Sequence, residues 1–233
     1  MNPNYPVLFF DLDHTLWDFE TNSVLALRTV YEETGLKSKG ILDFEDFNIV
    51  YHAINDKLWD RFRKGFLSRE ELRWKRMFQT LVHYRVNDES LAKHMSEFYL
   101  EVLPQQTALF PDAKEVLQYC YDKGYQLHLI TNGFEATQHQ KLSNAGIHHF
   151  FDRMITSEQA MSMKPHPGIF EFAFSETGSQ ADQSLMIGDA LDIDILGAQQ
   201  VGMDQVYFNP KATAHNESPT FEIHHLNELK NIL

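Results

Sequence analysis

The chain has 233 residues, 43% of them hydrophobic, and a formal net charge of −13 at pH 7. This length suits one large domain or a core domain with a smaller insertion. The acidic balance disfavours a nucleic-acid polymer as partner, and no stretch approaches the ~20 apolar residues of a membrane span. The N-terminus lacks the pattern of a signal peptide, and the single cysteine, Cys120, cannot form an internal disulfide. We therefore expect a cytoplasmic protein with no membrane partner.

Short apolar runs separated by helical patterns predict the core of the fold. Strands are predicted at residues 7–10, 126–130, 151–156, 184–187 and 205–208. Helices are predicted from about 111 to 124, 135 to 145, 167 onward and 193 to 201. Wholly apolar strands that alternate with helices are typical of a parallel sheet buried on both faces. The pattern indicates an α/β protein with a doubly wound, Rossmann-like sheet.

One long segment interrupts this alternation. Between residues 18 and 103 the sequence favours helices near 22–34, 43–62, 68–83 and 88–101, with almost no strand signal. We predict a core domain of residues 1–17 and 104–233 and an inserted all-helical domain of residues 18–103.

Polar residues follow the predicted strands, where open α/β sheets bind ligands. They are Asp11 and Asp13 after the first strand, Thr131 and Asn132 after the second, Lys164 in the loop after the third, and Asp189 after the fourth. Clustered carboxylates repel one another and lose hydration when buried, and a divalent cation such as Mg²⁺ offsets that cost.

This residue set predicts phosphate chemistry. One carboxylate beside the cation is suited to attack phosphorus, and another is suited to protonate the leaving oxygen and then to activate water. Lys164 supplies a fixed positive charge. Thr131 and Asn132 are suited to bind phosphate oxygens, although an Asx-type turn is the better explanation of this pair taken alone.

The same residues resemble the motifs of a known enzyme superfamily. Asp11-Leu12-Asp13-His14-Thr15 is similar to the DxDxT motif of the haloacid dehalogenase-like (HAD) superfamily. The second, third and fourth motifs of the superfamily follow in order, at Ile130–Gly133, at Lys164-Pro165 and at Gly188-Asp189 with Asp194. The match covers almost the whole chain, and four ordered motifs are more specific than any one alone.

The resemblance implies a role for each matched residue. Asp11 would be nucleophile and metal ligand, and Asp13 the general acid/base, with its backbone carbonyl on Mg²⁺. Thr131 and Lys164 would bind the phosphoryl group, Asp189 would ligate the metal, and Asp194 would support the ligands from behind. The helical insertion occupies the position of the C1 cap, which closes over the site in this superfamily.

Further residues resemble the pyrimidine 5′-nucleotidase branch, which includes non-canonical pyrimidine nucleotidases. They are Asn55–Trp59 in the insertion, Phe134 after the second motif, and Asp194–Ala198. The resemblance implies a Mg²⁺-dependent nucleotidase that forms an aspartyl-phosphate. Trp17, Asn55, Trp59 and Phe134 are candidate substrate contacts, although packing explains the tryptophans as well.

Other functions stay open. The substrate could be a sugar phosphate or phosphoglycolate, and a phosphomutase would use the same nucleophile. A 2-haloacid dehalogenase would also share Asp11, but Asp13 favours phosphate chemistry because halide leaves without a proton. A non-catalytic binding protein gains no support, since every expected catalytic residue type is present. Oligomeric state is not readable from the sequence.

Overall fold

A computed structural model describes residues 5–233, which form two compact units. One unit comprises residues 5–19 and Thr107–Leu233, and the other is Glu20–Gln106. The predicted boundaries after residues 17 and 103 precede these by two and three residues. Within residues 5–233, no helix has the length and apolar character needed to cross a membrane.

The second unit consists of helices. They are α1 (Phe19–Glu33, which begins at the junction), α2 (Phe44–Arg63), α3 (Arg69–His83) and α4 (Glu89–Val102). Helices α2, α3 and α4 each start at a side-chain cap. Asp43 accepts hydrogen bonds from the first turn of α2, Ser68 forms a capping box with Glu71, and Asp88 accepts from Leu91 N. These caps pair backbone N–H groups that the helices leave without partners.

The first unit is a six-stranded parallel sheet with helices. Its strands are β1 (Val7–Phe10), β2 (Gln126–Thr131), β3 (Arg153–Thr156), β4 (Ser184–Gly188), β5 (Asp204–Phe208) and β6 (Phe221–Ile223), in the order β3-β2-β1-β4-β5-β6. Its remaining helices are α5 (Ala113–Asp122), α6 (Glu135–Asn144), α7 (Pro167–Thr177) and α8 (Leu196–Gln200). The predicted doubly wound α/β fold is confirmed. β6, an edge strand of three residues, was not predicted from the sequence.

The apolar runs form strands because the sheet is buried. Every residue of β1 and β4 is buried, which is why these strands lack polar alternation. Phe9 and Met186 pack in one cluster with Ile169, Phe170 and Ala173 of α7. This apolar layer fixes the strands whose carboxyl ends carry the candidate site.

The strand order reverses between β1 and β4. The chain runs from β1 through β2 to β3 on one side of the sheet, and β4, β5 and β6 lie on the other. In doubly wound sheets, ligands bind where the order reverses in this way. Phe10 pairs with Leu129 on one side and Ile187 on the other, so Asp11 follows level with Ile130 and Gly188.

The two connections to the helical segment run side by side within the first unit. Asp18 N donates to Ala108 O at 3.1 Å, and Phe110 N donates to Leu16 O at 2.9 Å. Trp17 forms an antiparallel bridge with Leu109 between these bonds. The chain therefore leaves and re-enters the sheet unit at one place.

Candidate active site

Two buried ion pairs join residues from three parts of the sequence. Lys164 Nζ lies 2.6 Å from Asp11 Oδ1 and 2.6 Å from Asp194 Oδ1. The Lys164 and Asp194 side chains are each 2% exposed, and that of Asp11 is 10% exposed. Burying three charges is tolerated here because the ammonium contacts both carboxylates directly.

Burial and neighbouring charge shift the ionisation of this cluster. Desolvation raises the pKa of Asp11 to about 7, although the charge of Lys164 opposes the shift. Desolvation and the charges of Asp194 and Asp11 raise the pKa of Asp189 well above its usual value. Burial alone would lower the pKa of Lys164, but the two carboxylates outweigh burial and hold that pKa above its usual value. The site thus holds more negative charge than Lys164 alone can offset.

This excess of carboxylates fits a divalent cation. Asp11, Asp189 and Asp194 each offer an oxygen, and the three atoms lie within 4.8 Å of one another. Thr15 Oγ1 donates to Asp189 Oδ1 at 3.0 Å and orients that carboxylate. Hard oxygen donors in a small cluster are the ligands that Mg²⁺ prefers. The residues present therefore suit the predicted ion.

Asp194 enters the cluster because the backbone turns back after β4. A π-helical turn, Leu191–Ile195, follows the strand, and Asp194 Oδ2 accepts a hydrogen bond from Ala190 N at 3.1 Å. Gly188 leaves room for this carboxylate, since a Cβ there would lie 2.4 Å from Asp194 Oδ2. A glycine is thus required at position 188 of the Gly188-Asp189 motif, because a side chain there would collide with Asp194.

Asp13 belongs to a different network from Asp11. Its Oδ1 accepts from Lys141 Nζ at 2.6 Å, and its Oδ2 accepts from Gln138 Nε2 at 2.9 Å. Both donors lie on α6, three residues apart, and therefore on one helix face. The Asp13 side chain remains 24% exposed, whereas that of Lys141 is 3% exposed.

Aromatic rings surround the other side of Lys141. Its Nζ lies 4.3 Å from the ring centroid of Trp17 and 5.5 Å from that of Phe19. A desolvated ammonium gains cation–π stabilisation from such rings. Trp17 is fully buried, so this ring packs against Lys141, and its part in substrate binding stays a prediction.

Thr131, the last residue of β2, and Asn132 after it make further hydrogen bonds in the site. Asn132 Nδ2 donates to Lys164 O at 2.9 Å, and Asn132 Oδ1 accepts from Lys164 N at 2.8 Å. The Asn132 amide therefore holds the backbone from which Lys164 reaches Asp11. Thr131 Oγ1 accepts from Gly133 N and Gln138 Nε2, which leaves its own proton available to a ligand oxygen.

Comparison with known proteins identifies the family. The family described as haloacid dehalogenase-like hydrolase matches residues 8–208, which include every site residue described above. The chain belongs to the haloacid dehalogenase-like hydrolases. The predicted resemblance is confirmed, and so is the prediction that the chain is a hydrolase.

Relatives of this haloacid dehalogenase-like hydrolase cover nearly its whole length. The pyrimidine 5′-nucleotidase PynA of Streptococcus pneumoniae is 31% identical, over 98% of this chain and 97% of its own. The pyrimidine 5′-nucleotidase YjjG of Escherichia coli is 28% identical, over 97% and 96%. The crystal structure of the putative HAD-hydrolase YfnB of Bacillus subtilis, described as bound to magnesium, has a TM-score of 0.88 and 30% identity, over 98% of each chain.

Two of the predicted substrate contacts of this hydrolase lie in the helical unit. Asn55 is buried, and its Oδ1 accepts from Arg76 Nη1 at 3.1 Å. Trp59 is half-buried, with its ring 5.6 Å from that of Phe62. Phe134 lies in the sheet unit, where it is buried immediately before α6. The part of each in substrate binding stays a prediction.

Gln138 and Lys141 were not predicted from the sequence, and Thr15 was named there only as part of the first motif, with no contact assigned to it. One signal for the first two was present, because α6 reads Glu-Ala-Thr-Gln-His-Gln-Lys-Leu-Ser-Asn and offers few apolar residues to bury. A helix that packs on a sheet unit without an apolar stripe must turn polar residues inward. Polar residues at i and i+3 after the second motif therefore indicated a buried polar contact.

Proposed function

We propose that this hydrolase cleaves phosphate monoesters with Mg²⁺ and forms an aspartyl-phosphate on Asp11. The observation that carries the proposal is the arrangement of Asp11, which is buried against Lys164 and beside two further carboxylates. Such a carboxylate is oriented by Lys164 and shielded from water. A negatively charged phosphoryl group needs the extra positive charge that a cation on these oxygens provides.

The reaction would proceed in two balanced steps. First, an Asp11 oxygen bonds to phosphorus while the bond from phosphorus to the ester oxygen breaks, and Asp13 gives that oxygen its proton. Second, Asp13 takes a proton from water, the water oxygen bonds to phosphorus, and the Asp11 carboxylate is released with inorganic phosphate. Mg²⁺, when bound, neutralises phosphoryl oxygens and reduces their repulsion from the attacking carboxylate.

The remaining predicted residues would bind and support. Asp11 and Asp189, with the backbone carbonyl of Asp13, would hold the ion, and the geometry adds Asp194 as a further candidate. Lys164 and Thr131 would contact phosphoryl oxygens, because the ammonium is fixed and the Thr131 proton has no acceptor among the described contacts. Asn132 would support Lys164 through the backbone as well as contributing to the phosphate site.

We further propose that the substrate is a pyrimidine nucleoside 5′-monophosphate. The support is the 31% and 28% identity, over nearly the full chain, to relatives named as pyrimidine 5′-nucleotidases. The helical unit would act as the cap, with Asn55 and Trp59 as its candidate contacts to the nucleoside.

A substrate panel tests both levels of the proposal. Phosphate release is measured from uridine and thymidine 5′-monophosphates, ribose 5-phosphate and phosphoglycolate, with Mg²⁺ or with EDTA, and chloride release from 2-chloropropionate. We expect turnover of the nucleotides above the other phosphates, no turnover in EDTA, and no chloride. Turnover that persists in EDTA, or chloride release, refutes the metal-dependent phosphatase. Nucleotide turnover no faster than that of sugar phosphates refutes only the nucleotidase.

A matched pair of variants tests the nucleophile. Asp11→Asn should abolish turnover, while Asp122→Asn, at an exposed aspartate of α5, should leave it unchanged. Acid-quench labelling with a ³²P-monoester should trap phosphate on the wild type and not on Asp11→Asn. Equal labelling of the two proteins would contradict the role of Asp11.

A further inference from the structure

We infer that Lys141 and Gln138 are positioning residues that hold the Asp13 carboxylate in place for proton transfer. The inference rests on the proposed function, because it assigns Asp13 as general acid/base. Lys141 and Gln138 lie on α6, outside the four motifs that predicted the site. Neither acts on the phosphate, and both would act through Asp13.

Lys141 is a buried lysine that is paired with the Asp13 carboxylate. A lysine is almost never fully buried unless it is paired, and Lys141 is only 3% exposed. Its described partners are the Asp13 carboxylate at 2.6 Å and the faces of two rings, Trp17 and Phe19. The rings cover the ammonium on one side and leave Asp13 as its charged partner. Lys141 is therefore fixed in position by packing as well as by charge.

Gln138 supplies the second fixed donor. Its Nε2 donates to Asp13 Oδ2 at 2.9 Å and to Thr131 Oγ1 at 2.7 Å. Its Oε1 is buried and has no hydrogen-bond partner among the described residues. Turning the amide over would place that oxygen against the Asp13 carboxylate, so the amide keeps the orientation in which its nitrogen faces Asp13. A Cβ at Gly133 would lie 2.4 Å from Nε2, so Gly133 leaves the space that Gln138 occupies.

Together the two donors fix both oxygens of Asp13. A carboxylate held by one hydrogen bond can still rotate, whereas two donors on separate oxygens define its plane. A positioned general acid or base contributes about 10²–10⁴-fold to a rate, and small displacements lose much of this. Loss of either donor should therefore slow the steps in which a proton moves, without removing the nucleophile.

The leaving group distinguishes positioning of Asp13 from general damage. A nucleoside oxygen needs the proton from Asp13, whereas p-nitrophenolate leaves readily without one. The ratio kcat/KM reports the steps up to phosphoryl transfer to Asp11, so the later activation of water does not enter. For Lys141→Met and Gln138→Leu we expect kcat/KM for uridine 5′-monophosphate to fall about 10–100-fold. For p-nitrophenyl phosphate we expect a fall within about threefold.

Two further variants guard this comparison. Lys230→Met removes another paired lysine of the sheet unit, whose Nζ lies 2.5 Å from Glu115. This control should leave kcat/KM unchanged for both uridine 5′-monophosphate and p-nitrophenyl phosphate. Lys141→Gln keeps a neutral donor and should give an intermediate loss, which preserves the test if Lys141→Met fails to fold. Equal falls for both substrates, or no fall for the nucleotide, would overturn the inference.

A double-mutant cycle separates this inference from the proposed function. In an Asp13→Asn background, Lys141→Met should lower nucleotide turnover by no more than about twofold, because residues that act as a unit are not additive. A further fall as large as that in the wild-type background would show that Lys141 acts independently and would overturn the inference alone. Full activity of Asp13→Asn would overturn the acid/base role itself, and the inference with it.

Discussion

His128 should destabilise the fold as the pH falls. It lies on β2, 3% exposed, and neither of its ring nitrogens has a hydrogen-bond partner among the described residues. Desolvation lowers its pKa from 6.5 to about 4. The positive charge of Arg153 also lowers the pKa, whereas the negative charge of Asp152 opposes the shift. Between pH 6.5 and about 4, His128 is therefore protonated in the unfolded chain but stays neutral in the folded protein.

The size of this effect follows from the two pKa values. Stability is lost progressively from pH 6.5 down to about 4, where the folded protein also protonates. Between pH 7 and pH 5 the loss amounts to about 2 kcal/mol in the free energy of unfolding. His128→Leu removes the titrating ring, so the variant should lack this part of the pH dependence. The difference in stability between the two proteins should then change by about 2 kcal/mol over that interval.

Urea unfolding followed by tryptophan fluorescence at pH 7, 6 and 5, with EDTA present, measures the difference. The carboxylates of the active site also titrate, and the raised pKa of Asp11 stabilises the fold as the pH falls, but this contribution is shared and cancels in the difference. His139→Leu, at an exposed position of α6, is the control and should follow the wild type. A stability difference between His128→Leu and wild type that stays constant with pH would refute the reasoning.

Three more outcomes test the active site. Asn132→Ala removes both hydrogen bonds to the Lys164 backbone, so kcat for a phosphate monoester should fall at least about tenfold while stability in urea falls by about 1–2 kcal/mol. Gly188→Ala places a methyl group against Asp194, so urea unfolding should show a loss of about 1–3 kcal/mol, and the Mg²⁺ concentration for half-maximal activity should rise. Asp194→Asn removes one negative charge from the cluster while the contact between Lys164 and Asp11 remains, so Mg²⁺ should raise the melting temperature less than in the wild type; an equal rise would contradict a part for Asp194 in the metal site.

The strand ends were the predictable part of the site. Val7–Phe10 is wholly apolar and ends at Asp11, and Ser184–Gly188 ends before Asp189 in the same manner. Parallel strands gather their carboxyl ends at one edge, so polar residues at those ends meet whatever the length of chain between them. Sequence alone therefore located residues that lie more than a hundred positions apart.

The contacts to Asp13 were not predictable in the same way. Gln138 and Lys141 lie 125 and 128 residues from Asp13, and their positions on α6 depend on how that helix packs after β2. The sequence predicted a metal set of Asp11, Asp189 and the backbone carbonyl of Asp13, with Asp194 behind the ligands, and the structure places the Asp194 carboxylate beside those of Asp11 and Asp189. The turn that brings Asp194 back contains a π-helical segment, and the residues 191–195 carry no local signature of that geometry.

The paired connections at residues 16–18 and 108–110 have a consequence for evolution. The two ends of the insertion meet across a short antiparallel bridge. The sheet unit therefore holds these ends together itself, whatever segment lies between them. The entropy of loop closure grows only slowly with length, so an insertion there can be lengthened, shortened or exchanged at little cost to the sheet. Descendants of such a chain are free to acquire new helical segments between residues 20 and 106 while the strand ends that carry the carboxylates stay as they are.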